Sequence, residues 1–280
     1  MYFSKVGIGC GRVGSLGNAT PLKAVRETLV SAANNGVTFF DTANIYGQGD
    51  SERVLGSLFS HRDDIAIITK AGNVFSKKVL MLSKIKPVFR FLMGTRNRVH
   101  SLKSKTSVNL AGNIGAVRAN EITYNFSPAG LRGSLEGSLR RLRRKYVDGF
   151  LLHDPSPEQI KSTDIVNTLI EFKKQGRVKL IGASISSGAE LQAVVEMGCY
   201  DLVQVPMGLL TGLIGSEIYA CLLKSGIIIH VRQVLGRGVD GKIPQVNKAI
   251  EHALSLPGVS SVVVGVSTTT HLDEIMNHAY

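Results

Sequence analysis

The chain has 280 residues, 44% of them hydrophobic and 19% charged, with three cysteines far apart in sequence; this excludes a disulfide-stapled miniature and a disordered chain, and no metal site is expected from Cys and His spacing. No run of about 18 apolar residues occurs, which excludes a membrane-spanning helix by length. The net charge is +12, yet ten basic residues against one acid fall between Asn73 and Phe126, so that one segment holds +9 of it and the basicity says little about the rest of the chain.

In chain order, Met1-Tyr2-Phe3-Ser4-Lys5 runs straight into an apolar, β-like Val6-Gly7-Ile8-Gly9. That leaves no room for the apolar middle of a signal peptide, and a cytoplasmic protein is expected. Short β-branched runs then alternate with stretches of helical period. Strands are predicted at Lys5 to Cys10, Val37 to Asp41, Ile65 to Lys70, Val147 to His153, Val178 to Ser184, Leu202 to Val205, Ile227 to Val231 and Val259 to Gly265. Helices are predicted at Pro21 to Asn35, Ser51 to Phe59, Pro128 to Lys145, Ile165 to Gln175, Ala189 to Met197, Gly215 to Lys224, Pro244 to Leu256, and from Thr270. Pro21, Pro128 and Pro244 suit first helical turns, where a missing N–H costs nothing, and Gly36, Gly176, Gly198 and Gly226 suit helix C-caps. Alternation of this kind fits a (β/α)8 TIM barrel, with a doubly wound sheet as the competitor. The reading is one barrel domain over 1–280 with an insertion, 73–126, after the third strand.

In a barrel the C-terminal ends of the strands converge on the active site. Asp41 closes the second strand, Tyr46 follows in the loop behind it, Lys70 closes the third and His153 the fourth. A phenol with a reference pKa of about 10 is a poor acid at neutral pH unless a cation such as Lys70 stabilises its phenolate. Asp41 would hold that lysine charged, and His153 could orient a carbonyl oxygen. Each residue also has an ordinary reading: a turn cap for Asp41, a loop aromatic for Tyr46, a solvated strand-end lysine for Lys70, a structural histidine for His153.

The run Val37-Thr38-Phe39-Phe40-Asp41-Thr42-Ala43-Asn44-Ile45-Tyr46-Gly47, continuing through Ser51-Glu52-Arg53-Val54-Leu55-Gly56, resembles the signature of the aldo-keto reductases. The form is similar to the aldose or sugar-dehydrogenase branch. Asp41, Tyr46, Lys70 in Ile68-Thr69-Lys70 and His153 in Asp148-Gly149-Phe150-Leu151-Leu152-His153 each match a position of that family's catalytic tetrad. The likeness continues through Gly176 to Ser184 and Gln204, where the family contacts the nicotinamide, and into Leu235-Gly236-Arg237-Gly238. It implies a barrel that uses NADP(H) or NAD(H) to interconvert carbonyls and alcohols, with Tyr46 as proton donor, on a small carbonyl or sugar substrate.

Departures from the pattern are informative. Where members usually have Ser-Asn after the fifth strand, this chain has Ser184-Ile185, so one amide contact to the nicotinamide carboxamide is absent or supplied by another group. The usual Ser-Pro-Leu after the seventh strand is replaced by Gln233-Val234-Leu235, which puts the pyrophosphate-covering loop in question. Gly265, Ser267, Thr268 and His271 follow the eighth strand, where hydroxyls and a helix N-terminus bind phosphate. No lysine or arginine stands there to meet a 2′-phosphate, so NADH or dual use is expected. A nicotinamide-binding regulatory homologue without catalysis is the alternative that these departures support.

The insertion mixes large apolar residues with cations over residues 77–93. It reads as a lid whose charge draws an anionic substrate, or as a peripheral membrane contact. Nucleic-acid binding is not expected, because no base-stacking motif accompanies the charge.

Overall fold

The computed structural model describes residues 3–15, 20–75, 122–234, 246–266 and 269–276. Their elements run β1 (Val6–Gly9), α1 (Leu22–Asn34), β2 (Phe39–Asp41), α2 (Asp50–Phe59), β3 (Ala66–Ala71), β4 (Asn73–Phe75), β5 (Ile122–Tyr124), α3 (Pro128–Leu142), β6 (Val147–His153), α4 (Pro157–Lys161) and α5 (Thr163–Lys174). There follow β7 (Val178–Ser184), α6 (Gly188–Met197), β8 (Leu202–Pro206), α7 (Met207–Leu213), α8 (Glu217–Lys224), β9 (Ile228–Arg232), α9 (Val246–Ser255), β10 (Val259–Gly265) and α10 (Thr269–Met276).

Eight of these strands form a closed barrel in the order β1-β10-β9-β8-β7-β6-β3-β2. Because β1 pairs in parallel with both β10 and β2, no edge remains, and the doubly wound alternative is set aside. Alternation along each strand sorts side chains into two apolar layers. Phe39, Ile68, Leu151, Leu202 and Val263 fill the barrel interior. Phe40, Ile67, Phe150, Ile181 and Val203 point outward into the larger layer under the helices. Phe40 stacks on Phe59 of α2, and Phe150 meets Phe172 of α5 edge to face. Among the described residues no single helix is long and apolar enough to cross a membrane.

The ribbon of β4 and β5 is antiparallel and was not expected from the sequence. It starts one residue after β3, where Gly72 has φ +116 and the Phe126 ring lies 2.1 Å from where a Cβ would stand; only glycine fits there. The insertion therefore leaves from the C-terminal end of β3. Residues 77–93, read as a lid or a membrane contact, lie outside the described residues, as does Pro244.

Candidate active site

A short 3-10 turn, Tyr46–Gly49, brings the tyrosine back over the end of β2. Gly47 has φ +58, and a Cβ there would lie 2.8 Å from the Val13 carbonyl oxygen, so the loop closes this tightly only with glycine. The neighbouring Ser51 and Glu52 of the signature are buried anchors. Ser51 Oγ donates to the Cys10 carbonyl at 3.0 Å and lies 2.8 Å from Thr42 Oγ1. Glu52 accepts from Thr69 Oγ1 at 2.7 Å and from Arg141 Nε at 2.6 Å. That lock fixes α2 against the outer face of β3 beside Lys70, whose side chain points inward.

Lys70 and Asp41 meet at the top of the barrel interior, with side chains 2% and 7% exposed. Lys70 Nζ donates to Asp41 Oδ1 and Oδ2 at 2.7 and 2.6 Å, and to the Thr42 carbonyl at 3.1 Å. Burial works against the ammonium, but Asp41 and Tyr46 outweigh it and hold Lys70 above its ordinary pKa. The ammonium lies 5.2 Å from the centre of the Tyr46 ring. That ring meets His153 edge to face, with centroids 5.7 Å apart. All four tetrad side chains thus converge.

Lys70 does lower the pKa of Tyr46, as expected, but burial has the larger effect on the phenol. Burial raises the phenol above its ordinary pKa, and Lys70 pulls against that rise without reversing it. Tyr46 therefore stays protonated at neutral pH, as a proton donor must. His153 is pushed down to about 3 by burial, Lys70 and Arg232, so it is a neutral imidazole. Its Nε2 lies 3.8 Å from Asp154 Oδ2, but a neutral ring makes this no ion pair.

Gln204 is fully buried, gives its amide N–H to Asp41 Oδ1 at 2.6 Å, and leaves its own Oε1 without a partner among the described residues. Ser184 is its register partner on β7. An orphaned acceptor beside a serine hydroxyl suits a primary amide, so these residues fit a nicotinamide carboxamide. Gly265 closes β10 with open space where a Cβ would stand, and His271 is half-buried in the first turn of α10. Leu235, Gly236, Arg237, Ser267 and Thr268 lie outside the described residues.

Arg232, Asp154 and Ser186 were missed from sequence. The Arg232 guanidinium donates through Nη2 to the Ile185 carbonyl at 2.6 Å and to Ser186 Oγ at 2.9 Å. It pairs with Asp154 Oδ1 at 3.5 Å, and Ser186 Oγ donates to that same oxygen at 3.1 Å. The only available signal was strand periodicity, which puts position 232 on the inner face with His230.

A parallel barrel with a Tyr, Lys, Asp and His cluster at its C-terminal mouth defines the class of protein. The chain belongs to the aldo/keto reductase family, whose sequence profile matches residues 5–245. It is 24% identical over 217 residues to the NADH-specific methylglyoxal reductase of Escherichia coli (strain K12), covering 76% of this chain and 57% of that protein. It is 25% identical over 204 residues to the D-threo-aldose 1-dehydrogenase of a Pseudomonas species, covering 71% and 55%. The chain thus spans about half the length of the curated relatives it matches. The glycerol dehydrogenase of Gluconobacter oxydans shares the fold at a TM-score of 0.71 and 16% identity, over 99% of this chain and 86% of that one. So does the aldo-keto reductase of Klebsiella pneumoniae in complex with NADPH, at 0.67 and 17%, over 99% and 86%.

Proposed function

We propose that the chain is a nicotinamide-dependent oxidoreductase that interconverts an aldehyde or ketone, including that of a sugar, and its alcohol. The observation that carries this is the buried Lys70–Asp41 pair set against the ring of a protonated Tyr46, with a neutral His153 on the ring's edge. A nicotinamide held at this site would supply or take up the hydride. Tyr46 gives its phenolic proton to the carbonyl oxygen, Lys70 stabilises the phenolate left behind, and solvent returns the proton. His153, uncharged, positions that oxygen without competing as an acid. Ser184 and Gln204 would hold the carboxamide end of that cofactor. NADH-specific and NADPH-bound relatives both occur among the proteins this chain resembles, so either nucleotide fits the reading.

The insertion joins the barrel at the end of the strand that carries Lys70, and the ten cations in its sequence favour an anionic substrate. Neutralising Lys77, Lys78, Lys84 and Lys86 should raise KM for a negatively charged carbonyl compound and spare a neutral aldehyde. A cytoplasmic setting is part of the proposal.

The deciding experiment titrates the protein with NADH and NADPH and then follows cofactor oxidation across a panel of carbonyl compounds. Binding with Tyr46-dependent turnover supports the reading. Binding without turnover of any compound favours the regulatory alternative, which Ile185 motivates. No binding of either nucleotide overturns both.

A further inference from the structure

We propose that Arg232 replaces the amide missing at position 185 and that its charge makes the site bind reduced nicotinamide more tightly than oxidised. The inference rests on the oxidoreductase reading above and deepens it.

The geometry begins with β9, where Ile228 faces the barrel interior and Ile229 and Val231 face the outer layer. Alternation puts Arg232 on the inner side, at the mouth. Its register partner is Pro206, two residues beyond Gln204 on β8. From there the side chain crosses above β8 to the corner after β7, where it grips the Ile185 carbonyl and Ser186 Oγ. Ile185 is fully buried with its side chain in the outer apolar layer, so this residue offers the mouth no side-chain amide. What stands on residue 185 is a guanidinium, one residue from Ser184. Its Nε is buried without a partner among the described residues.

Replacing a neutral amide by a cation changes more than a hydrogen bond. Reduced nicotinamide is an uncharged ring, whereas the oxidised ring carries a full positive charge. A fixed cation nearby leaves the first alone and repels the second. The field of Arg232 already reaches the tetrad, since it helps to suppress protonation of His153. Asp154 is the opposing charge, 3.5 Å away, but its side chain is 45% exposed, so water screens it. The neutralisation is therefore partial. A site of this kind releases the oxidised product readily and favours carbonyl reduction when both cofactor forms are present.

The chain contains no tryptophan, so the test uses calorimetric titration of the whole protein with NADH, NAD+, NADPH and NADP+. The readout is the ratio of oxidised to reduced Kd. Arg232→Gln should lower that ratio by about three- to tenfold, and Arg232→Lys should keep it near wild type. Asp154→Asn, which removes only the countercharge, should raise the ratio and tests the idea independently if Arg232→Gln fails to fold. An unchanged ratio in Arg232→Gln, or in Asp154→Asn when that is the variant available, overturns the proposal while leaving the oxidoreductase reading intact. Equal weakening of both forms would make Arg232 a brace for the β7 corner and also overturns it. Wild-type protein that binds no dinucleotide overturns both.

Discussion

Gln204 donates its side-chain amide to Asp41 at 2.6 Å, from β8 to β2, two strands that are not neighbours in the barrel. The bond crosses the barrel and couples the candidate carboxamide pocket to the carboxylate that holds Lys70. Gln204→Leu should therefore show two losses at once. Stability should fall by about 1–3 kcal/mol because a buried carboxylate loses a donor, and dinucleotide Kd should rise about tenfold. Urea unfolding and calorimetry report the two separately, and an unchanged Kd would take Gln204 out of the cofactor site.

Tyr46→Phe keeps the ring against His153 and removes the proton. Turnover should fall at least about a hundredfold, with dinucleotide affinity nearly unchanged. Near wild-type turnover would move the acid to another group.

Lys70→Met leaves Asp41 charged and buried with only Gln204 as a side-chain donor. A loss of about 3–5 kcal/mol is expected in urea unfolding. Adding Asp41→Asn removes the stranded charge, so the double variant should be more stable than Lys70→Met alone. Strict additivity would mean that the pair is not coupled.

Acid should destabilise the fold through two histidines. Burial and Lys70 push His230 to about 3, as burial, Lys70 and Arg232 push His153. Between about 3 and the ordinary value near 6.5, the unfolded chain takes up protons that the folded one refuses. Stability is then complete above that ordinary value and declines as pH falls, by up to about 1.4 kcal/mol per pH unit for each histidine. His230 lies between Phe3 and Phe39 with neither ring nitrogen paired among the described residues. His230→Leu should flatten the slope measured by urea unfolding between about pH 5 and about pH 7. An equal slope in both proteins would place the acid sensitivity elsewhere.

Residues Val266 to Thr270 contain no cation, so preference for NADPH over NADH should be weak. Ser267→Arg should shift it toward NADPH, since a guanidinium matches a phosphate. Wild-type protein that binds NADPH far more tightly than NADH would contradict this.

The barrel was legible because its strands are short apolar runs closed by glycine and capping residues. β6, β7 and β10 have the bounds that their sequences predict. The tetrad was legible because Asp41 and His153 close strands, Lys70 stands next to the last residue of one, and Tyr46 lies in the loop behind another. β9 ends at Arg232 rather than Val231, and that one residue hid a cation of the mouth. Its partners, Ile185 and Ser186, are 47 and 46 residues away in sequence, so no local pattern announced them. The β4 and β5 ribbon escaped because strands of three residues leave too little alternation to read. The acidity of Tyr46 depended on how deeply the loop folds over β2, which composition and spacing do not encode.

The ribbon gives the basic insertion a single doorway. Phe75 and Ile122 are register partners, so residues 76–121 depart and return about one strand spacing apart, about 5 Å. The cost of closing such a loop grows only with the logarithm of its length, and at the foot of the ribbon the Phe126 ring packs on Gly72. Ends held this close can be joined by chains of many lengths, so a change in the sequence between Phe75 and Ile122 is expected to leave the barrel and tetrad as they are.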